Sequence, residues 1–170
     1  MNSITVVALL CRENQDLLEG LKTVLAQDVA ELDVLVMDLC DSAASKALCA
    51  QAQQIDPRVR VIAGKRNNLA QACNAAREAS KADYLVNLPA NTRFYPGMLK
   101  KYVDILAGNT NLAFAYSNFE SQKGEEKQLK KLLEDIGDNT EMADFGHVKM
   151  FRTACLKEVG GYREDFNHAE

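Results

Sequence analysis

The sequence predicts an α/β fold with a mostly parallel central sheet. Short apolar segments rich in β-branched residues alternate with amphipathic segments of helical length along most of the chain. Each apolar segment is followed by a short polar turn, a pattern typical of βαβ units with right-handed crossovers. The length of 170 residues, with 47% apolar and 26% charged residues, fits one globular domain.

Four strand and helix pairs are predicted in chain order. The strands are predicted at residues 4–10, 33–37, 59–62 and 84–88. The helices that follow them are predicted at residues 15–26 and 43–54, from 68 onward and from 96 onward. The first strand is a continuous apolar run, which indicates burial on both faces of a sheet. Asn68 is a good N-cap residue for the third helix, and we place Pro96 at the first position of the fourth.

The remainder of the chain predicts a fifth strand at 112–118, a strand at 146–152 and a short helix at 153–159 that ends at two glycines. Residues 120–138 carry both charge signs and predict a solvated helix or surface excursion, within a variable charged insertion at 120–145. We expect residues 1–170 to form a single domain that is the N-terminal part of a longer chain, because the polar stop at 168–170 follows an aromatic-rich turn directly.

Composition excludes several classes of function. The net charge of -4 and the pI near 5.3 disfavour nucleic acid binding. The first residues have neither the basic lead of a signal peptide nor an apolar run long enough to span a bilayer, so the predicted location is the cytoplasm. The five scattered cysteines form no C-x-x-C pair and are interpreted as reduced thiols.

The polar turn at residues 89–93 is the first candidate for a binding site. It follows a predicted parallel strand, and open α/β sheets bind ligands at the carboxyl ends of such strands. No carboxylate lies between Asp83 and Asp104. A phosphate held through a divalent cation would therefore lack its usual oxygen ligands at this turn.

Several segments, in this order and spacing, resemble the family 2 glycosyltransferases over nearly the whole chain. They are ITVVALLCREN, VLAQ, DVLVMDLCDS, DPRVRVI, YLVNLPANTRFYPGML and FRTACLKEVGGY followed by AE. The resemblance implies the three-layer α/β/α GT-A fold, which is Rossmann-like and typical of nucleotide-diphospho-sugar transferases. It also implies transfer of a sugar from a nucleotide-sugar donor to a saccharide or other acceptor.

The resemblance implies that the base and ribose of the donor lie at the ends of the first two strands. Residues 9–12 stand where the family has Pro-Thr-Tyr-Asn. Asp38 matches the first acid of the family's Asp-Asp pair, and Leu39 replaces the second. Asp41 and Ser42 are the candidates to compensate. A turn-pinning role for Asp38 remains the alternative to ribose contact.

The family's Asp-x-Asp-Asp motif, which binds a cation on the diphosphate, is degenerate here. Pro89, Asn91 and Thr92 occupy the acidic positions, and only the Asn91 carbonyl is a candidate ligand for Mg²⁺ or Mn²⁺. Arg66 and Arg93 are candidate cationic clamps on the phosphates, with ordinary solvated loop charges as the alternative.

The resemblance places three further residues near the site. Asn68 is a candidate donor contact, and Glu170 matches the Glu that precedes the family's catalytic Asp, which makes it the candidate catalytic residue. His147 is either a substrate contact on the acceptor side or an ordinary strand histidine. Two hypotheses stay open: a transferase with an altered donor and metal site, and an inactive pseudo-glycosyltransferase that serves as a binding or interaction module.

Overall fold

The computed structural model describes residues 2–63, 68–89, 91–123, 126–130 and 148–165. In chain order the elements are β1 (Ile4–Leu10), α1 (Asp16–Leu25), β2 (Leu32–Asp38), α2 (Ala43–Ile55), β3 (Val59–Ala63), α3 (Leu69–Ala79), β4 (Tyr84–Pro89), α4 (Met98–Gly108), β5 (Phe114–Tyr116), β6 (Phe119–Lys123), β7 (Glu126–Lys130), β8 (Lys149–Arg152) and α5 (Thr153–Glu158). The predicted strand and helix pairs are all present.

The central sheet has six strands in the order β3-β2-β1-β4-β8-β5. The strands β3, β2, β1 and β4 run parallel to one another, and β8 is antiparallel to both of its neighbours. The prediction of a mostly parallel sheet is therefore confirmed. Because the parallel strands share one direction, their carboxyl ends meet at one edge of the sheet, where Leu10 pairs with Asp38 and Leu9 with Pro89.

Helices cover both faces of the sheet, which makes three layers. Alternate residues of β1 enter two separate buried clusters, with Val6 and Ala8 on one face and Val7 on the other. The first cluster contains the buried faces of α1, α2 and α4, and the second contains those of α3 and α5. Burial on both faces explains why the strands are continuously apolar rather than alternating.

The predicted position of Pro96 was wrong, and so was the helix alternative for residues 120–138. Pro96 is not the first helical residue: it lies in a turn in which the Met98 N–H donates to the Tyr95 carbonyl (3.2 Å), and Gly97 has φ +75°. Proline followed by a residue with positive φ makes this a type II turn, and the helix begins only after it.

The charged segment after β5 begins with two strands rather than a helix. The strands β6 and β7 form a separate antiparallel pair, with the Lys127 ammonium 3.2 Å from the Glu120 carboxylate. The mixed charges that suggested a solvated helix thus pair across strands. Most of the remaining insertion, from residue 131 to 145, lies outside the described residues.

The short helix α5 ends where the two glycines predicted it would. Gly160 and Gly161 have φ of +82° and +90°, and the Gly161 N–H donates to the Leu156 carbonyl at 2.8 Å. A left-handed conformation after the last helical turn is the usual stop for an α-helix. Within the ranges that the structure describes, no helix has both the length and the apolar character needed to cross a bilayer.

Candidate functional site

A cleft of about 420 Å³ opens at the carboxyl edge of the sheet. It lies between the turns that follow β1 and β2 and the first turn of α3. Its lining residues are Cys11, Arg12, Glu13, Leu39, Cys40, Asn68 and Leu69. The cleft therefore combines two apolar side chains, two thiols, one cation, one carboxylate and one amide within the region where doubly wound sheets bind their ligands.

Asp38 is the last residue of β2 and holds the turn that follows this strand. Its Oδ1 accepts hydrogen bonds from the backbone N–H groups of Cys40 (3.0 Å) and Asp41 (3.3 Å), and its Oδ2 accepts one from the Ser45 hydroxyl (3.0 Å). The residue is only 7% exposed and is absent from the cleft lining. These contacts are those of a carboxylate that pins a turn, and ribose contact by Asp38 stays a prediction.

The turn after β2 connects directly to the start of α2. Asp41 has φ +51° and forms an ion pair with the Lys46 ammonium (2.8 Å), which raises the pKa of that lysine through a side-chain hydrogen bond. Ser42 is the N-cap: its Oγ accepts from the Ser45 N–H at 2.9 Å and donates to the Glu13 carboxylate. Glu13 is thereby held at the edge of the cleft, although no functional role was predicted for it from the sequence.

Asn68 is the N-cap of α3, as predicted, and it also lines the cleft. Its Oδ1 accepts from the Gln71 N–H (3.0 Å), and its Nδ2 donates to the Glu164 carbonyl oxygen (3.3 Å). The Glu164 carboxylate in turn accepts from Gln71 Nε2 (3.1 Å) and Asn74 Nδ2 (3.0 Å). Segment 162–165 is therefore held along α3 beside the cleft, an arrangement that the sequence did not reveal.

The turn after β4 lies outside the cleft lining. The Thr92 N–H donates to the Pro89 carbonyl (3.0 Å), and the Arg93 guanidinium pairs with Asp16 on α1 (3.1 Å). Asn91 is exposed. The structure thus does not bring Asn91 or Arg93 together with the lining residues, and the contact of Arg93 is with a carboxylate of its own chain.

The donor set at this turn does not fit a divalent cation. Hard cations such as Mg²⁺ and Mn²⁺ bind best through several carboxylate oxygens, whereas Pro89, Asn91 and Thr92 supply none. Among the residues that the structure describes, no group of three or more His, Cys, Asp or Glu side chains is arranged to hold a metal ion. Asn91 as a metal ligand stays a prediction without support from its neighbours.

Three of the predicted functional residues fall outside the described ranges. They are the candidate clamp Arg66, the acceptor-side His147 and the candidate catalytic Glu170. Their roles stay predictions.

Three thiols, those of Cys11, Cys49 and Cys73, have raised pKa values. Burial raises the pKa of Cys11, and the neighbouring Cys40 adds to that effect. Burial raises the pKa of Cys73 on α3 and of Cys49 on α2 to about 11. None of the five cysteines is in a disulfide, and their interpretation as reduced thiols stays a prediction. The raised pKa keeps the thiols of Cys11, Cys49 and Cys73 protonated at neutral pH, which makes these three thiols weak nucleophiles.

Comparison with known proteins identifies the class. The family described as Glycosyl transferase family 2 matches residues 5–160, so the chain belongs to this family. The uncharacterized protein y4gI of Sinorhizobium fredii (strain NBRC 101917 / NGR234) is 26% identical over 160 residues, which is 91% of this chain but 18% of that protein. The chain thus spans about a fifth of this relative's length.

Solved structures show the same GT-A fold at low identity. Mannosyltransferase PcManGT from Pyrobaculum calidifontis, in complex with GDP-Man and Mn²⁺, matches with a TM-score of 0.72 and 17% identity over 95% of this chain and 48% of its own. S. aureus TarS 1–349 in complex with UDP-GlcNAc matches with a TM-score of 0.76 and 15% identity over 99% and 50%. The chain covers about half of each.

Proposed function

We propose that this domain binds a nucleotide-sugar donor in the cleft at the ends of β1 and β2 and takes part in transferring the sugar to an acceptor. The observation that carries the proposal is the cleft itself, at the carboxyl edge of a GT-A sheet and with a mixed apolar and charged lining. The GDP-Man and UDP-GlcNAc complexes of the structural neighbours support the choice of ligand class.

The lining suggests which groups contact which part of the donor. Leu69, which is 54% exposed in the cleft lining, offers apolar surface for a base, whereas Leu39 also lines the cleft but is only 5% exposed. Arg12 supplies a guanidinium, a group that can donate two parallel hydrogen bonds to the oxygens of one phosphate. The start of α3 adds the partial positive charge of a helix N-terminus on the same side.

We further propose that donor binding depends on these cationic groups rather than on a carboxylate-bound metal ion. The proposal rests on the chemistry of Pro89, Asn91 and Thr92, whose neutral side chains are poor ligands for Mg²⁺ or Mn²⁺. The family's nucleotide-diphosphate leaving group needs positive charge nearby, and Arg12 is the cation in the described cleft lining.

Isothermal titration calorimetry tests the proposal. UDP, GDP and CDP and their sugar conjugates are titrated into the protein with EDTA and, separately, with Mn²⁺. We expect one nucleotide series to bind saturably with a Kd that Mn²⁺ does not change. Arg12→Ala should weaken binding at least about tenfold, or about 1.4 kcal/mol. The matched control is Arg60→Ala, since Arg60 pairs with Asp33 near the opposite end of β2.

Two outcomes would contradict the proposal. If none of the nucleotides binds, the proposed donor site is wrong. If binding requires Mn²⁺, the proposal that donor binding does not depend on a metal ion is wrong. Equal affinities of the Arg12→Ala and Arg60→Ala proteins would show that Arg12 does not contact the phosphates.

The second candidate function is a pseudo-glycosyltransferase, a GT-A scaffold that binds a ligand or partner without turnover. A specific observation favours it: the donor-site acid Asp38 and the phosphate-clamp candidate Arg93 both make internal contacts, with Ser45 and Asp16 respectively. Mass spectrometric detection of sugar transferred to water or to added saccharides would exclude this alternative. Saturable nucleotide binding without turnover by the full-length protein would support it.

A further inference from the structure

We propose that Cys11 and Cys40 form a reversible modification site, in which a disulfide made by exchange with a small-molecule disulfide of the glutathione class closes the cleft. Both side chains line the cleft, Cys11 from the turn after β1 and Cys40 from the turn after β2. The proposed bond depends only on the geometry of the two turns. Its effect on ligand binding rests on the proposed function.

The two residues lie within reach of each other. The Cys40 thiol donates to the Leu10 carbonyl oxygen, with the sulfur 3.2 Å from that oxygen. The same peptide unit joins Leu10 to Cys11, and its oxygen lies about 2.8 Å from the following Cα. The Cys40 sulfur is therefore within about 6 Å of the Cys11 Cα, given the 3.2 Å contact. Formation of the disulfide requires a rotation about the Cys11 Cα–Cβ bond that brings its sulfur to that of Cys40.

The turn that carries Cys40 is held in place, which keeps the pair together. Its N–H donates to the Asp38 carboxylate at 3.0 Å, and the next residue's backbone joins the same carboxylate. The Leu39 N–H donates to the Leu10 carbonyl (3.1 Å), so the ends of β1 and β2 stay joined beyond their last paired residues. A disulfide here would join two turns whose strand ends are held together by these hydrogen bonds.

Different exposure assigns an order to the two steps. Cys11 is exposed and Cys40 is 8% exposed, so Cys11 meets the oxidant first. The Cys11 thiolate attacks one sulfur of the small disulfide, releases one thiolate and forms a mixed disulfide. The Cys40 thiolate then attacks the Cys11 sulfur and releases the second. Two protein thiols are oxidised, the small disulfide is reduced to two thiols, and the protons pass to solvent and the released thiolates.

Exchange at this pair should be slow near neutral pH, because burial raises the pKa of Cys11 and keeps its thiolate scarce. Slow exchange suits a response to sustained oxidation in an otherwise reducing compartment. The resulting bond would join two residues that line the cleft proposed to hold the donor.

The test uses the protein incubated at pH 8 with oxidised glutathione, followed by alkylation of free thiols and peptide mass spectrometry without reduction. We expect a peptide linked through Cys11 and Cys40, with free thiols falling from five to three. Cys11→Ser should leave Cys40 fully alkylatable after denaturation. The matched control Cys155→Ser, a half-buried thiol on α5, should form the same linked peptide as the unmodified sequence.

Several results would overturn the inference. They are a Cys11 that stops at the glutathione mixed disulfide, a disulfide of Cys11 with Cys73, or one of Cys40 with Cys49. Binding is then measured by calorimetry with the nucleotide that binds the reduced protein best. If oxidation lowers the affinity for this nucleotide at least tenfold and dithiothreitol restores it, the result supports closure of the cleft by the disulfide. If oxidation leaves the affinity unchanged, the disulfide does not close the cleft. If the reduced protein binds no nucleotide, the proposed function fails while the disulfide result stands by itself.

Discussion

Gly20 illustrates how a single atom positions the turn after β4. It lies inside α1, where glycine costs up to about 1 kcal/mol relative to alanine. A Cβ at this position would sit 2.7 Å from the Thr92 carbonyl oxygen, a backbone atom that cannot move aside alone. The absence of a side chain lets the turn at 89–93 pack directly on α1, and this contact sets where that turn lies relative to β1.

The first prediction follows from this contact. Gly20→Ala should lower the free energy of unfolding by about 1–2 kcal/mol, because overpacking against backbone exceeds the gain in helix propensity. Gly108→Ala, at the end of α4 with no atom within 4 Å of the added Cβ, should be neutral or stabilising by up to about 1 kcal/mol. Urea denaturation followed by circular dichroism measures both, and equal effects would contradict the role assigned to Gly20.

Single residues also mark the limit of sequence interpretation. The N-cap role of Asn68 was predictable, because it depends on the three residues that follow it. The hydrogen bond from the Gln71 side chain to the Glu164 carboxylate was not predictable. The two residues are 93 positions apart, and only the fold brings them together. Asp38 was predictable in part. A role in holding its turn was one of the two predicted alternatives, because that role depends on residues that follow it closely in the sequence.

At the scale of elements, Gln27 connects α1 with the start of α4. The residue is 6% exposed, and its Nε2 donates to the carbonyl oxygens of Thr23 (3.1 Å) and Tyr95 (3.0 Å). Its Oε1 accepts from the Leu99 N–H (3.1 Å). The N-cap position of α4 is Gly97, which has no side chain, so a glutamine from the bend just after α1 satisfies the first turn. This explains why the VLAQ segment ends in a glutamine.

The second prediction concerns this connection. Gln27→Ala leaves a buried N–H and a carbonyl without partners and should destabilise the protein by about 2–3 kcal/mol. Gln51→Ala, at an exposed position of α2, is the matched control and should change stability by less than about 0.5 kcal/mol. Chemical denaturation of the two variants side by side is the measurement, and a cost for Gln27→Ala no larger than the control's would refute the capping role.

The third prediction concerns pH and the turn between α2 and β3. The Asp56 carboxylate receives two hydrogen bonds from the Arg58 guanidinium (both 2.9 Å), which lower its pKa from 3.8 to about 2. A lowered pKa in the folded state stabilises the protein above the unfolded value, and that contribution is lost as pH falls toward the folded value. The stabilising contribution should therefore be complete above about pH 4 and disappear toward pH 2.

Comparison with Asp56→Asn isolates this contribution. The difference in unfolding free energy between the two proteins should be constant from pH 7 to pH 5 and shrink between pH 4 and pH 3. Urea titrations at these pH values measure it. A difference that stays unchanged down to pH 3 would mean that Asp56 has an ordinary pKa in the folded protein.

At the scale of the whole molecule, the fold was predictable because it depends on repeated patterns. Four apolar strands, each followed by an amphipathic helix, specify a parallel sheet with helices on both faces regardless of any single residue. The two strands β6 and β7 were missed, because polar segments with mixed charges carry no apolar periodicity to distinguish a strand from a helix. Errors therefore fall in segments that contribute little to the two buried clusters.

The site was less predictable than the fold because its chemistry depends on residues that family patterns do not supply here. The cleft is present, yet no functional role was predicted from the sequence for Glu13, Leu69 and the two thiols that line it. A GT-A scaffold tolerates such changes because its core lies in the sheet and helices, while the site lies in the turns at one edge. Scaffold and chemistry can therefore be altered separately.

The fourth prediction uses that separability. If the turn after β4 keeps the backbone of a metal site and lacks only its acids, Asn91→Asp combined with Thr92→Asp should create one. We expect Mn²⁺ at millimolar concentration to raise the melting temperature of this double variant by a few degrees, since a ligand that binds only the folded state stabilises it. The unmodified protein should show no such shift, because its neutral side chains bind hard cations poorly.

Asn111→Asp is the control, because it adds the same charge at an exposed position between α4 and β5, away from this turn. A shift of equal size in that variant would mean that Mn²⁺ stabilises the protein through its overall negative charge of -4 rather than at a site. A double variant that does not respond would show that the turn lacks the geometry as well as the acids. The altered site would then differ from a metal-binding one in backbone, and the pseudo-glycosyltransferase hypothesis would gain a structural basis.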